Sequence, residues 1–286
     1  MNDGRSATQG HAGPGGALGI YFRAGTELLA MSIDRVHVVL GATGAIGAAT
    51  CRRLAGPGVG LLLASTSQAK LDALASELTS RGATIRTRVL DATDTGAVEA
   101  TMGEVREAFG RLDGAMNGVG SIILKAAHQT TDAELERTLR LNLWSAFALV
   151  RGATKAMREN PEPGGSIVLF SSAAARTGLP NHEAIAAAKG AVAALARSAA
   201  ATYAPSNIRV NAIAPGLVRS GIASPIVGNE MALKASASMH ALGRIGEADD
   251  VASCAAWLLS PEASWVTGQE VGVDGGLATL RPRAKA

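Results

Sequence analysis

Aromatic residues are scarce in this chain: they make up 3% of its 286 positions, and only two are tyrosines. Without rings, the core has to be aliphatic and closely packed, which 47% apolar residues and 34 glycines permit. Cysteine is rare too. Cys51 and Cys254 lie far apart without metal-ligand spacing, so they read as buried thiols in a reducing cytoplasm, and no metal is expected. The net charge is only +3, and no Lys/Arg-rich run or basic stripe with interleaved aromatics appears, which argues against a nucleic-acid partner. No apolar run approaches the roughly 20 residues that cross a bilayer, so no membrane partner is expected either.

The first 30 residues differ from the rest. "MNDGRSATQGHAGPGGALG" is rich in Gly and small polar residues and has no periodicity, the composition of a disordered and dispensable extension. "IYFRAGTELLA" is too short and interrupted for a secretory segment. Domain-like sequence begins at "MSIDRVHVVLGATG", which makes residues 31–279 one domain, Met31 a candidate start and residues 280–286 a short tail.

From residue 35 onward short apolar runs alternate with helical segments. Strands are expected at 35–40, 59–64, 84–90, 112–117, 166–171, 208–214 and 269–274, and helices near 45–54, 67–80, 95–109, 131–158, 182–202 and 248–259. This alternation calls for right-handed crossovers and a parallel sheet, and apolar runs without alternation suit a sheet covered on both faces. The α/β class follows.

The first crossover carries "GATGAIG". Gly41 permits a tight turn, Gly44 lets the backbone approach a pyrophosphate, and Gly47 lets helix and strand pack closely, with the helix N-terminus facing the phosphates. Alone, the pattern is a weak signal, and a merely tight strand–helix turn is the alternative. The remaining motifs decide. "LDATD" (90–94) follows the third strand, "NGVG" (117–120) ends the fourth, and Asn142 sits in "LRLNLWSAF". Then come the paired serines of "GGSIVLFSSAAARTG", Lys189, "NIRVNAIAPGLVRS" (207–220) and "LGRIGEADDVASCAAWLLSPEASWVTGQEVGVDGG".

In order and spacing, over about residues 33 to 278, the chain resembles the short-chain dehydrogenase/reductase family. The resemblance implies a single Rossmann-type, doubly wound parallel sheet of about seven strands, a nicotinamide cofactor, a small-molecule substrate, and a homotetramer or homodimer. It also implies roles. Asp91 should accept from the adenine amino group with Ala92 adjacent, while Asn117 and Gly118 line the adenosine side. Thr43 and Ile46 accompany the loop glycines at the cofactor. Pro215, Gly216 and Val218 should bracket the nicotinamide, and Ser220 takes the place of a carboxamide-contacting threonine. Lys189 should bind the nicotinamide ribose and lower the pKa of a neighbouring acid. Ser172 and Asn142 complete the catalytic set, although Asn142 and Asn117 could instead satisfy backbone groups in the core.

The second strand ends "LLLASTSQAK", where Ser65, Thr66 and Ser67 offer hydroxyls and no carboxylate. An acid there would repel a 2′-phosphate, so its absence favours NADP(H) over NAD(H), although no arginine stands at Thr66 or in the glycine loop.

The family's proton donor is a tyrosine four residues before the lysine, and here that position is Ile185. Ser172 lies 13 residues before Ile185, the family's serine–tyrosine spacing, so this is a substitution. Tyr21 precedes the domain and Tyr203 falls at the far end of the same helix. With Asn181 as N-cap the helix should begin at His182, and His182, Ile185 and Lys189 then share one face. In the enoyl-acyl carrier protein reductase branch the working tyrosine stands seven residues before the lysine, in a "PNY" setting; this chain reads "PNH". His182 is therefore the candidate general acid. Lys125 and His128 lie where the cleft of this fold opens; they read as surface residues, with contact of Lys125 to an anionic substrate as the alternative. The expected activity is hydride transfer to or from a small, apolar carbonyl or enone/enoyl compound. The alternative is a nucleotide-binding protein without catalysis, serving as a redox sensor or assembly partner.

Overall fold

Seven strands pair into one parallel sheet in a computed structural model that describes residues 33–281. They are β1 (Arg35–Leu40), β2 (Val59–Ser65), β3 (Thr84–Val89), β4 (Gly114–Asn117), β5 (Gly165–Phe170), β6 (Ile208–Pro215) and β7 (Glu270–Val273), in the order β3-β2-β1-β4-β5-β6-β7. The expectations for residues 1–30 and for most of the C-terminal tail lie outside the described residues. Each strand starts within two residues of its expected position, because an apolar run between helices has one way to bury both faces.

Helices cover the sheet on both sides: α1 (Ala45–Leu54), α2 (Gln68–Thr79), α3 (Thr95–Phe109), α4 (Asp132–Leu139), α5 (Ser145–Arg158), α6 (Glu183–Tyr203), α7 (Ser224–Val227), α8 (Glu230–Met239) and α9 (Ala248–Leu259). Alternate residues of one strand feed opposite cores. Val36, Val38 and Leu40 pack with Val98, Met102 and Leu149, whereas Val39 packs with Leu71, Val251 and Leu258. Each fully buried side chain of this size contributes about 1.5–3 kcal/mol, enough for aliphatic layers to replace the missing rings.

The structure departs from the sequence reading at three places. The expected single helix 131–158 is broken at Arg140–Trp144 by a π turn that contains Asn142. There the Asn142 amide donates to the Thr138 carbonyl (2.9 Å), the acceptor an α-helix would reserve for its own backbone N–H. The segment 219–243, to which the sequence pattern assigned no element, forms α7 and α8, the latter capped by Asn229 through the Ala232 N–H. Finally, α6 starts at Glu183, with His182 as its cap residue; Asn181 is not the cap but sits in the left-handed region at φ 62. One expectation needs amending. The stretch Glu183–Ser206 is long and apolar enough, by composition alone, to cross a membrane, with mean hydropathy 1.3. Half of its most apolar window is buried, and α6 packs on β5, β6 and α5, which accounts for its alanine-rich make-up.

Candidate active site

On either side of the β1–β4 boundary the chain winds outward in opposite directions, which leaves a groove beyond the carboxyl ends of those strands. The glycine loop enters it from β1. Gly41 has φ 71, and a Cβ there would lie 2.8 Å from the carbonyl carbon of Gly118. A Cβ at Gly47 would lie 2.3 Å from the Gly41 oxygen, so only glycine lets α1 start against the loop. The helix follows Gly44 with no acidic residue in its first turn and no side-chain cap, leaving its N–H groups for an anion.

A cavity of about 180 Å³ is walled by Gly41, Gly44, Ser65, Thr66, Asp91, Ala92 and Gly118. Asp91 accepts from the Thr93 N–H (2.9 Å) and hydroxyl (2.8 Å), and these bonds hold its carboxyl below the usual range. It is therefore an ionised acceptor at neutral pH. Asn117 is not part of this wall. It is buried, and its side chain bridges Ser145 Oγ and the Val119 N–H, so it fixes the end of β4 from behind. Thr43 also turns away, its hydroxyl against that of Ser65, into a neighbouring cleft lined by Arg52, Lys70 and Glu77. The guanidinium of Arg52 is held by Glu77. The sequence reading noted that no arginine stands at Thr66 or in the glycine loop; Lys70, on the first turn of α2, is a cation beside this cleft.

A second cavity, of about 140 Å³, shares Gly118, Val119 and Gly120 with the first. It is lined by Ile46, Ser172, Ile185, Lys189, Pro215, Gly216, Val218 and Ser220, with Phe170, Leu217, Ile122 and Ile222 adding apolar surface. Ile122 and Ile222 were not singled out beforehand, since one sits in a loop and the other in a single 3-10 turn (Gly221–Ala223), where no periodicity marks them. Lys189 is 8% exposed and donates from Nζ to the Phe170 carbonyl (2.9 Å). Burial without a carboxylate partner pulls its amine down to about 8. Ser172 Oγ accepts from the Ala174 N–H (3.2 Å) and so keeps its own proton for an oxygen in the cavity. Ser220 Oγ donates to the Val218 carbonyl (3.2 Å).

Asn142 reaches the cavity with its side chain already committed. Its amide nitrogen donates to Thr138 and Ser121, and its oxygen accepts from the Ser121 N–H. Its effect is on position: it fixes the strand of chain whose Gly120 would, with a Cβ, come within 2.8 Å of Asn142 Oδ1 and 3.4 Å of Lys189 Nζ. His182 stands one turn before Ile185 and is not among the cavity-lining residues. Its Nδ1 lies 2.7 Å from the Pro180 carbonyl, an oxygen that can only accept. Nδ1 therefore carries a proton and Nε2 is the nitrogen left to exchange one. Lys125, considered for an anionic substrate, is instead paired with both carboxylate oxygens of Glu134 at 2.9 Å. His128 is exposed in a short turn. Among the described residues no group of His, Cys, Asp and Glu is placed to hold a metal.

Two cavities joined across the switch point of a parallel sheet, one with an ionised acceptor and an open helix end, the other with a buried lysine beside a serine, define a nucleotide-binding α/β protein with a reaction chamber. Residues 41–278 match the family described as Enoyl-(Acyl carrier protein) reductase. A chloroplastic tropinone reductase homologue of Arabidopsis thaliana is 33% identical over 242 residues, covering 84% of this chain and 74% of that protein. A short-chain type dehydrogenase/reductase from Mycobacterium ulcerans superposes with a TM-score of 0.82 at 31% identity, covering 88% of this chain and 92% of that one. Actinorhodin polyketide ketoreductase, solved with NADPH, gives 0.80 at 26% identity, covering 86% and 98%. The chain belongs to the short-chain dehydrogenase/reductase family and is an oxidoreductase with a site for a nicotinamide cofactor.

Proposed function

We propose that this enzyme is an NADP(H)-dependent oxidoreductase of a small apolar carbonyl or enone/enoyl compound, working without the family's tyrosine. The observation that carries this reading is the pair of cavities meeting at Gly118, Val119 and Gly120, one shaped for an adenosine and the other holding Ser172 and Lys189. When bound, the nicotinamide supplies or accepts the hydride. Around it, Asp91 accepts from the adenine, the start of α1 faces the phosphates, and Lys189 offers its two uncommitted N–H groups to the ribose. The pair of hydroxyls at Thr43 and Ser65, with Lys70 in the adjoining cleft, supports a 2′-phosphate in place of a 2′-hydroxyl. The NADPH in the ketoreductase structure agrees with this choice. Ile46, Ile122, Ile185, Leu217 and Ile222 give the chamber an apolar lining, which favours a substrate with one oxygen and a hydrocarbon body.

Ser172 holds the substrate oxygen and His182 exchanges the proton through Nε2. A second reading of the proton rests on one observation: Lys189 is the sole ionisable side chain among the cavity-lining residues. On that reading the ammonium donates directly. The exposed Trp144 and Phe147, beside Arg140 and Arg151 around the start of α5, support a homodimer or homotetramer contact there. A panel of ketones, enones and enoyl thioesters, with NADPH consumption followed against NADH, tests the whole assignment. Turnover of none of these classes, or equal use of both cofactors, contradicts it.

A further inference from the structure

One histidine in the described residues is buried at a crossing that neither catalysis nor the core explains. His240 follows the last residue of α8 and is 2% exposed. Its Nδ1 lies 2.7 Å from the carbonyl of Ser236, an oxygen that can only accept, so Nδ1 carries the proton. Its Nε2 lies 3.2 Å from the backbone N–H of Leu217, a group that can only donate, so Nε2 presents its lone pair. Both contacts are satisfied by one species alone, the neutral ring with its proton on Nδ1.

Leu217 belongs to the loop after β6 that lines the reaction chamber together with Pro215, Gly216 and Val218. The contact is close from the other side as well: a Cβ on Gly216 would lie 2.6 Å from His240 Nε2. The chain after His240 completes the grip. The Gly246 N–H donates to the Leu217 carbonyl (2.8 Å), and the Arg219 N–H donates to the Gly246 carbonyl (2.9 Å). Segment 240–246 thus makes three of the contacts that hold this loop, and of these three the one to the Leu217 N–H is made by a side chain.

We infer that His240 is a positioning residue for the nicotinamide half of the cofactor, keying helix α8 into the loop 215–218 through the acceptor that Nε2 offers to the Leu217 N–H. The charged groups around the same space are otherwise engaged. Arg244 is paired with Asp250 (2.7 Å), and Asp274 accepts from the N–H groups of Gly276 (2.9 Å) and Ala278 (3.0 Å). The inference rests on the proposed dinucleotide site, so the test separates the two.

NADPH and 2′,5′-ADP, which shares the adenosine end but lacks the nicotinamide, are titrated into the full-length protein by calorimetry. With His240→Leu, NADPH affinity falls by about tenfold and 2′,5′-ADP affinity is unchanged, which also shows that the variant is folded. His240→Gln, whose amide oxygen accepts from the Leu217 N–H in place of Nε2, keeps the natural ratio of the two affinities. Equal losses for both ligands, no loss in His240→Leu, or the same loss in His240→Gln each overturn the inference. If the natural protein binds neither ligand, the dinucleotide reading fails and the inference with it.

Discussion

Removing the charge of Lys189 should stabilise this protein while disabling it. The lysine is buried, its Nζ has one carbonyl partner and no carboxylate, and burial lowers its amine from 10.5 to about 8. In the unfolded chain the amine is protonated up to about pH 10.5, so between about pH 8 and 10.5 the unfolded state holds a proton that the folded state has lost. Stability of the natural protein therefore rises with pH across this window. Below pH 8 the full penalty applies, about 3 kcal/mol from roughly 1.4 kcal/mol per unit. Lys189→Met removes that penalty but leaves the Phe170 carbonyl without its donor, which costs about 1 kcal/mol. The net gain at pH 7 is about 2 kcal/mol. Urea unfolding at pH 7 and at pH 10 measures it: the variant should be more stable at pH 7, and its advantage should vanish at pH 10. NADPH affinity should fall in the same protein, because the ribose loses its donors. A variant that is less stable at pH 7, or one that keeps the pH slope, refutes the account of Lys189 as an unpaired buried cation.

Three further outcomes are expected. His182→Phe should lower turnover by about 10²–10⁴-fold with NADPH affinity unchanged, measured by steady-state kinetics on any substrate the panel yields. If Lys189 is the donor instead, that variant stays active, and reduction by the natural protein declines as pH rises through about 8, where the ammonium is lost. Ser65→Asp should shift cofactor preference from NADPH toward NADH by about tenfold or more, since a carboxylate repels the 2′-phosphate; unchanged relative affinities would remove Ser65 from the 2′ site. His37 is buried in β1 with Nδ1 unpartnered, and burial lowers its pKa from 6.5 to about 4. The unfolded chain takes up the proton first, so stability is complete above about pH 6.5 and is lost as pH falls toward 4, by about 3 kcal/mol. His37→Leu should flatten that part of the denaturation profile; a profile identical to the natural one would show that His37 does not titrate with folding.

Local chemistry was enough for the framework. The strand at Arg35–Leu40 and the helices at Ala45–Leu54, Thr95–Phe109 and Ala248–Leu259 occupy the residues their patterns demand, because apolar periodicity and glycine placement act over a few neighbouring positions. Gly47 was legible for the same reason, since its close approach is to the Gly41 oxygen within the turn; Gly41 also meets the backbone of Gly118, which the fold alone brings there. What each motif residue does with its side chain was settled elsewhere. Asn117 and Asn142 look alike as motif asparagines, yet Ser145 takes the amide of one while Thr138 and Ser121 take both ends of the other. The start of α6 shifted by one residue where Asn181 turns left-handed and its carbonyl accepts from the Lys125 N–H (2.7 Å), a partner far back in the chain. Lys70 and His240 gained their places beside the glycine loop and the loop after β6 only when α2 and α8 packed, and no spacing rule joins them to Thr43 or Leu217. Periodicity reports which face of an element is buried. Which polar atom meets which depends on contacts between residues distant in sequence, and those exist only after the sheet has closed its helices over both faces.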